Sequence, residues 1–495
     1  MVALSPFVPR HFKSPLRILC RVFFHSRNRW QQVAEARGAE ILRLKAQRDQ
    51  ALREIRTLQG RLQACQLQAQ QVQQPAWHSD RPLPGHQHSA RMISLCCQLC
   101  LLVGFRAVPR VLQCVSDAFG MNLRIPSRDV VRNWNCRNGV AMLQEPNKAP
   151  DWIWMIDHSV QLGKMFVLVV LGIRRADFPA GRPLKRQDMS VLAVLPTRTR
   201  GKEEVSSQLH EVAAKFGEPM AVVCDGASEL REGVASLKDV GFKGVCLSDV
   251  KHRIASLLKK QLGSDERWKK FESQLGTTTA AIQQTELEHL LPPRKKQKCR
   301  FMNFHRLIDW ATGVLALLQQ KEKSPRLKEK LGWIAEFTAD IQHWQQLREM
   351  TGVVLRQSNE EGVWVGATKQ LREDLMAMPA STDWVIRMRE RLIEIVASNE
   401  RQLETLKIEG LRLPCSTEVL ESAFGSFKAI QRHHNRGTFT TLLATFPTLF
   451  DDCTPAKIRE RLLRVRNKDL AEWVKAAGLS DSTQARRMKA RPPGS

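Results

Sequence analysis

The sequence predicts an α/β protein: a mixed five-stranded sheet core interrupted by an all-α insertion, preceded by a coiled coil and a small helical unit. Three observations lead there. Between residues 152 and 248 five short apolar runs are joined first by a tight link and later through amphipathic helices, the pattern of a hairpin followed by parallel crossovers. Residues 263–410 lack strand alternation and read as amphipathic helices. Residues 35–74 carry apolar side chains three and four apart, the spacing of a coiled-coil seam.

Composition bounds the possibilities. A chain of 495 residues exceeds one ordinary core and implies about two to four domains. Its 43% hydrophobic and 26% charged residues are those of a soluble globular protein. The net charge of +27 points to a polyanionic partner, nucleic acid before any other, and nothing calls for a small-molecule substrate. Twelve cysteines scattered without a dense framework suit reduced thiols in a cytoplasm. The absence of any run of about 18 apolar residues excludes a helical membrane span. Tyrosine is absent, and nothing in the sequence explains it.

Residues 1–34 contain no acid and alternate Arg10, Lys13, Arg17, Arg21, Arg27 and Arg29 with apolar side chains; they read as a flexible basic arm. In 35–74, Ile41, Leu44, Ala51, Ile55, Leu58, Leu62, Cys65, Ala69 and Val72 form the seam, interrupted by Arg48. The seam serves either a second copy, making a homo-oligomer, or the chain's own surface. Residues 75–90, with Pro82, Pro84 and Gly85, form a linker.

Residues 91–145 read as short helices broken at Gly104 and Gly120, with Ser127 capping a last helix. That helix carries Arg128, Arg132 and Arg137 among asparagines, a set able to contact phosphates and base edges in the manner of a helix-turn-helix reader. Cys96, Cys97 and Cys100 contain one Cys-x-x-Cys inside an apolar helix and read as buried thiols rather than zinc ligands.

The sheet core spans 150–262 and resumes at 411–450, after the helical insertion of 263–410; a basic tail, 451–495, follows. The first strand, from Trp152, ends at Asp157; Met165–Ile173 and Val191–Leu195 are the second and third. Met220–Cys224 leads to Asp225-Gly226, and Gly244–Ser248 leads to Asp249, where a helix begins with Lys251-His252-Arg253. Downstream, Glu421 lies in a helix whose apolar stripe is Leu420, Phe424 and Phe427. Two strand-end aspartates and a helix glutamate are the parts of a two-metal phosphoryl-transfer site, in which carboxylates hold two divalent ions about 4 Å apart. Glu418 competes with Glu421, but Ser416 reads as the N-cap and places Glu418 in the first turn, where the helix dipole alone accounts for a carboxylate.

These segments resemble the DDE transposases of bacteria that carry a helical insertion between the second Asp and the Glu. Asp157-His158-Ser159 resembles the first-acid segment, Asp225-Gly226 the second, and Leu420-Glu421 with Phe424 and Lys428 the third. Asp249-Val250-Lys251-His252 matches the Asp-x-x-His signature of many cut-and-paste members. Pro414 and Thr417 depart from the pattern, standing where some families place a Tyr and an Arg that contact DNA. The resemblance covers roughly 150–262 and 411–440. It implies a ribonuclease-H-like core, catalysis by Asp157, Asp225 and Glu421 with two Mg²⁺ (Mn²⁺ as substitute), support from His158, Asp249, His252 and Lys428, and Lys428 on DNA. Transposon-end and target DNA are the implied partners, and a cytoplasmic, nucleoid-associated location is implied with them. The implied reaction, hydrolysis at an element end and then strand transfer by the freed 3′-OH, needs no Ser or Tyr nucleophile. The alternatives are an inactive transposase-derived DNA-binding protein and a ribonuclease-H-fold nuclease.

Overall fold

The computed structural model describes residues 15–72, 80–162, 165–293, 304–320, 325–432 and 441–479. The chain divides into two units, residues 1–81 and 82–495. In the first, one helix, α1 (Leu16–Val72), runs for 57 residues. The expected flexible arm is therefore helical from Leu16 and continuous with the seam, since nothing between Leu16 and Val72 breaks it: no proline intervenes and glycines occur singly. Its seam residues stay in solvent, with Ile41, Leu44, Ile55, Leu58 and Leu62 about half to two-thirds exposed (48–61%).

The second unit opens with α2 (Ala90–Val103), α3 (Ala107–Ala118) and α4 (Arg128–Met142). The Ser127 hydroxyl accepts from Val130 N at the start of α4, as its N-cap position demands. Next come β1 (Trp152–Leu162), β2 (Met165–Arg174), β3 (Ser190–Thr197), α5 (Lys202–Phe216), β4 (Ala221–Cys224), α6 (Ser228–Ser236), β5 (Val245–Ser248) and α7 (Val250–Gly263). The five strands form one sheet of order β3-β2-β1-β4-β5. β1, β2 and β3 pair antiparallel, and β4 and β5 join parallel to β1. The mixed sheet is thus as the sequence predicts, with one correction. β1 does not stop at Asp157 but continues to Leu162, because β2 pairs along its whole length and Asp157 faces Val169. Only the β4 partner leaves there, after Ile156 pairs with Cys224.

Strand alternation divides the sheet. Trp152, Trp154 and Ile156 lie on the face covered by α5 and α6, with Leu209, Phe216 and Val234. Ile153, Met155, Val169, Val223 and Leu247 lie on the other face, in one core with the helices that follow.

Those helices are α8 (Glu266–Ile282), α9 (Phe304–Gln319), α10 (Pro325–Leu331), α11 (Thr338–Glu360), α12 (Ala367–Met376) and α13 (Asp383–Glu404). The insertion is not purely helical: β6 (Val363–Trp364) pairs with β7 (Arg412–Leu413) and closes its exit. Trp268 and Trp344 are buried against Phe271 in an aromatic core, the ordinary role for such residues. The basic run at 294–300 lies outside the described residues. The chain then returns to the sheet with α14 (Glu418–Arg432), a 3₁₀ segment (Thr441–Phe450), α15 (Pro455–Arg464) and α16 (Asn467–Ala476).

α15 and α16 belong to what the sequence suggests is a tail, and they pack on α4. Gly139 permits the contact with the 3₁₀ segment, since a Cβ there would lie 1.8 Å from the Ala444 carbonyl oxygen. Arg137 is buried, its guanidinium donating to the Val465 carbonyl (2.9 and 2.7 Å) and the Leu462 carbonyl (2.7 Å). Asn135 and Asn138 are buried as well. The face of α4 expected to read DNA is therefore largely interior: distant backbone carbonyls satisfy Arg137, and Asn138 pairs with the Arg461 guanidinium and the Cys453 thiol. No single helix among the described residues is long and apolar enough to cross a membrane.

Candidate active site

The candidate site lies on the sheet face shared with α14. Asp157 follows the alternation of Ile153 and Met155 and so turns toward that face. Asp225 directly follows β4, and its Oδ1 accepts from Ala227 N at 2.9 Å. The tight turn needs a positive φ at Gly226, +87°, which glycine adopts without strain. α14 packs its Leu420, Ala423, Phe424 and Phe427 stripe into the core, and Glu421 lies in the first turn. Thr417, not Ser416, stands immediately before the helix and accepts from Leu420 N and Glu421 N through its carbonyl. The Ser416 hydroxyl accepts from Glu418 N at 3.3 Å.

The electrostatics tie these residues together. The Asp157 carboxyl is pushed up to about 7, first by burial and then by the charge of Asp225, with Glu421 adding to it; His252 and the His158 N–H oppose the rise. Lys251 Nζ reaches Glu421 Oε2 at 2.8 Å and Glu418 Oε1 at 3.1 Å. His252 Nε2 lies 3.3 Å from Glu421 Oε1, and its Nδ1 lies 3.3 Å from Asp249 Oδ2. Asp249 raises the His252 imidazole to about 9, and Glu421 and Asp225 add to this against burial. Glu418 also accepts from Asn359 Nδ2 at 2.8 Å.

The donor chemistry suits a hard divalent cation: three carboxylates, of which Asp157 is disfavoured as an anion first by burial and then by the charges of the other two. As the side chains stand, no three His, Cys, Asp or Glu among the described residues surround a common ion position. Lys251 and His252 hold the Glu421 carboxylate instead.

The other sequence-predicted residues fall in different places. By strand alternation His158 lies on the sheet face opposite Asp157; burial lowers its pKa, and Glu229, Arg200 and Asp225 are its charged neighbours. Lys428 is half-buried two turns beyond Glu421 on α14. Arg128 and Arg132 are exposed beside Asp129, at 3.3 and 3.7 Å. Arg137 is interior and cannot meet DNA as it stands.

Sequence reasoning missed Lys251, Thr417, Asn359 and Arg186. Arg186 donates to the Ser422 carbonyl (2.9 Å) and to the Ser422 and Ser426 hydroxyls (both 2.8 Å), fastening α14 to the β2–β3 link. Lys251, inside the Asp-x-x-His motif, offered the one usable signal.

The sequence matches no family model and no curated protein. Among solved structures, the chain is similar to one in the Drosophila P element transposase strand transfer complex, at TM-score 0.39 and 13% identity, covering 78% of this chain and 93% of that one. A likeness at that level carries no argument about activity.

Proposed function

We propose that this chain is a DDE transposase with a ribonuclease-H-like core, cutting DNA at the ends of a mobile element and joining those ends to target DNA. The supporting observation is that β1, the end of β4 and α14 supply Asp157, Asp225 and Glu421 near enough to one another that, after burial, the charges of Asp225 and Glu421 add to the rise of the Asp157 carboxyl to about 7. Asp157, Asp225 and Glu421 would hold two Mg²⁺ ions, with Mn²⁺ as substitute; such a pair, when bound, supplies the Lewis acidity that activates water and stabilises a leaving oxygen. The protein's own groups do the rest. Lys251 and His252 balance the charge of Glu421, and the Lys251 ammonium spans both acids of the first turn of α14. The excess of basic residues, +27 overall, attracts the phosphate backbone. The exposed seam of α1 pairs with a second copy of the chain, because apolar residues at heptad spacing gain by burial against their like.

The test uses a plasmid carrying the coding sequence with its genomic flanks. Purified protein with Mg²⁺ or Mn²⁺ is expected to cleave at the flanks. Asp157→Ala, Asp225→Ala and Glu421→Ala should each abolish cleavage yet retain DNA in gel-shift assays, while Glu418→Ala is milder. Cleavage that survives all three substitutions defeats the proposal. One observation favours a second reading, a DNA-binding derivative without activity: Glu421 is held by Lys251 and His252 rather than gathered with the two aspartates. DNA binding without Mn²⁺ binding or cleavage would decide for it.

A further inference from the structure

We infer that Asp249 is a positioning residue that sets the first turn of α14, and with it the place of Glu421, by capping two helices at once. The inference rests on the reading of Glu421 as a site residue. Asp249 is fully buried, at 0% exposure, so both carboxylate oxygens require partners. An N-cap uses one oxygen, and Oδ1 does this for α7 by accepting from His252 N at 2.9 Å. The second oxygen also faces the His252 ring of α7, at 3.3 Å from Nδ1, but its two short bonds leave α7. It accepts from Thr417 N at 2.7 Å and from the Thr417 hydroxyl, 168 residues further along the chain. A backbone bond beside it, Val250 N to the Cys415 carbonyl at 3.0 Å, fixes the same junction.

Thr417 is the residue on which α14 starts, and its carbonyl accepts from Glu421 N at 3.1 Å. Glu421 thus lies one turn from the clamp. The later turns have other anchors: Arg186 on Ser422 and Ser426, and Phe446 against Phe424 and Phe427. In the first turn Asp249 holds the backbone at the helix start, while Lys251 and Asn359 reach the Glu418 and Glu421 carboxylates. A helix advances about 100° and 1.5 Å per residue, so release of that turn redirects Glu421 without unfolding α14. An asparagine in place of Asp249 keeps one acceptor, and its NH₂ then meets the Thr417 N–H donor to donor.

The experiment uses the full chain with Asp249→Asn, Thr417→Val and Thr417→Ser. Amide exchange across residues 418–424 is measured in metal-free protein, and Mn²⁺ binding by calorimetry. Asp249→Asn and Thr417→Val should speed exchange in this stretch about tenfold, the loss expected for a charge-assisted bond, and weaken Mn²⁺ binding by a similar factor. Exchange elsewhere should stay unchanged, and Thr417→Ser, which retains both donors, should preserve protection. Unchanged exchange at 418–424 in Thr417→Val overturns the inference. So does faster exchange with undiminished Mn²⁺ binding, provided Glu421→Ala does lose Mn²⁺. If Glu421→Ala binds Mn²⁺ normally, the underlying reading of the site fails instead, and the exchange result still decides whether Asp249 holds α14.

Discussion

Arg461→Met is expected to release the C-terminal helices from α4. The Arg461 side chain is 4% exposed. It donates to both Glu145 oxygens (2.6 and 2.8 Å), to Asp451 Oδ2 (2.6 Å) and to Asn138 Oδ1 (3.2 Å). Methionine fills much of the volume but leaves Asp451, 5% exposed, with Lys457 as its remaining cation. Removing one partner of a buried pair costs about 3–5 kcal/mol. At about 1.4 kcal/mol per factor of ten, the lower figure is roughly a hundredfold rise in local opening. A multi-unit chain of this size does not melt in one step, so the assay is amide exchange across α15 and the 3₁₀ segment rather than a global melting temperature. Exchange there should accelerate by about that factor, while α5 and the sheet stay protected. Arg461→Lys should fall between, keeping the charge but losing the two-pronged contact with Glu145. Wild-type exchange in Arg461→Met would refute the view that this cluster holds the helices together.

Three further expectations follow from the structure. Burial alone would raise the Asp451 pKa, but Lys457 and Arg461 outweigh it and hold the carboxyl below its usual range; its contribution is therefore present above the unfolded value of about 3.9 and lost as pH falls through the lower folded one. Asp451→Asn should accordingly lower stability above about pH 4 and flatten the acid limb below it, as followed by circular dichroism. Gly139→Ala forces a methyl to within 1.8 Å of a backbone oxygen and should lower the free energy of opening α4 by about 1–3 kcal/mol in amide exchange; wild-type exchange would mean that α4 and the 3₁₀ segment do not touch in solution. Charges at two exposed seam positions, Ile55→Asp with Leu58→Asp, should convert the oligomer proposed through α1 to monomer in light scattering, and an unchanged mass would defeat that pairing.

What could be read from the sequence depended on where each residue's partner lies. β2, β4, β5 and the start of α7 fall within a residue or two of their expected positions, since each announces itself by its own local pattern. The approach of Asp157 to Asp225 was legible because both follow apolar runs that pair as parallel neighbours. β1 beyond Asp157 was not, because His158-Ser159-Val160-Gln161 has no apolar run and its strand character comes from pairing with β2. α4 misled more seriously. Arginine and asparagine on a capped helix suggest a solvated, DNA-facing surface, but Arg137 is satisfied by carbonyls 325 and 328 residues away. Local polarity cannot reveal such partners. The Asp249–Thr417 clamp escaped notice for the same reason: a buried carboxylate with one obvious cap to make conceals a second.

The interlocking of α4 with α15 has a consequence for synthesis. Glu145 waits for Arg461, 316 positions later, and Ser94 waits for the Cys453 carbonyl, 359 positions later. At about 5–20 residues per second, a ribosome needs roughly 16–72 s to cover those distances. During this interval the nascent chain presents the side of α2 bearing Cys96, Cys97 and Cys100, and the side of α4 bearing Cys136 and Val140, with no partner to cover them. Such a chain is open to aggregation until α15 emerges, and a co-translational holdase covering these surfaces would bridge the interval.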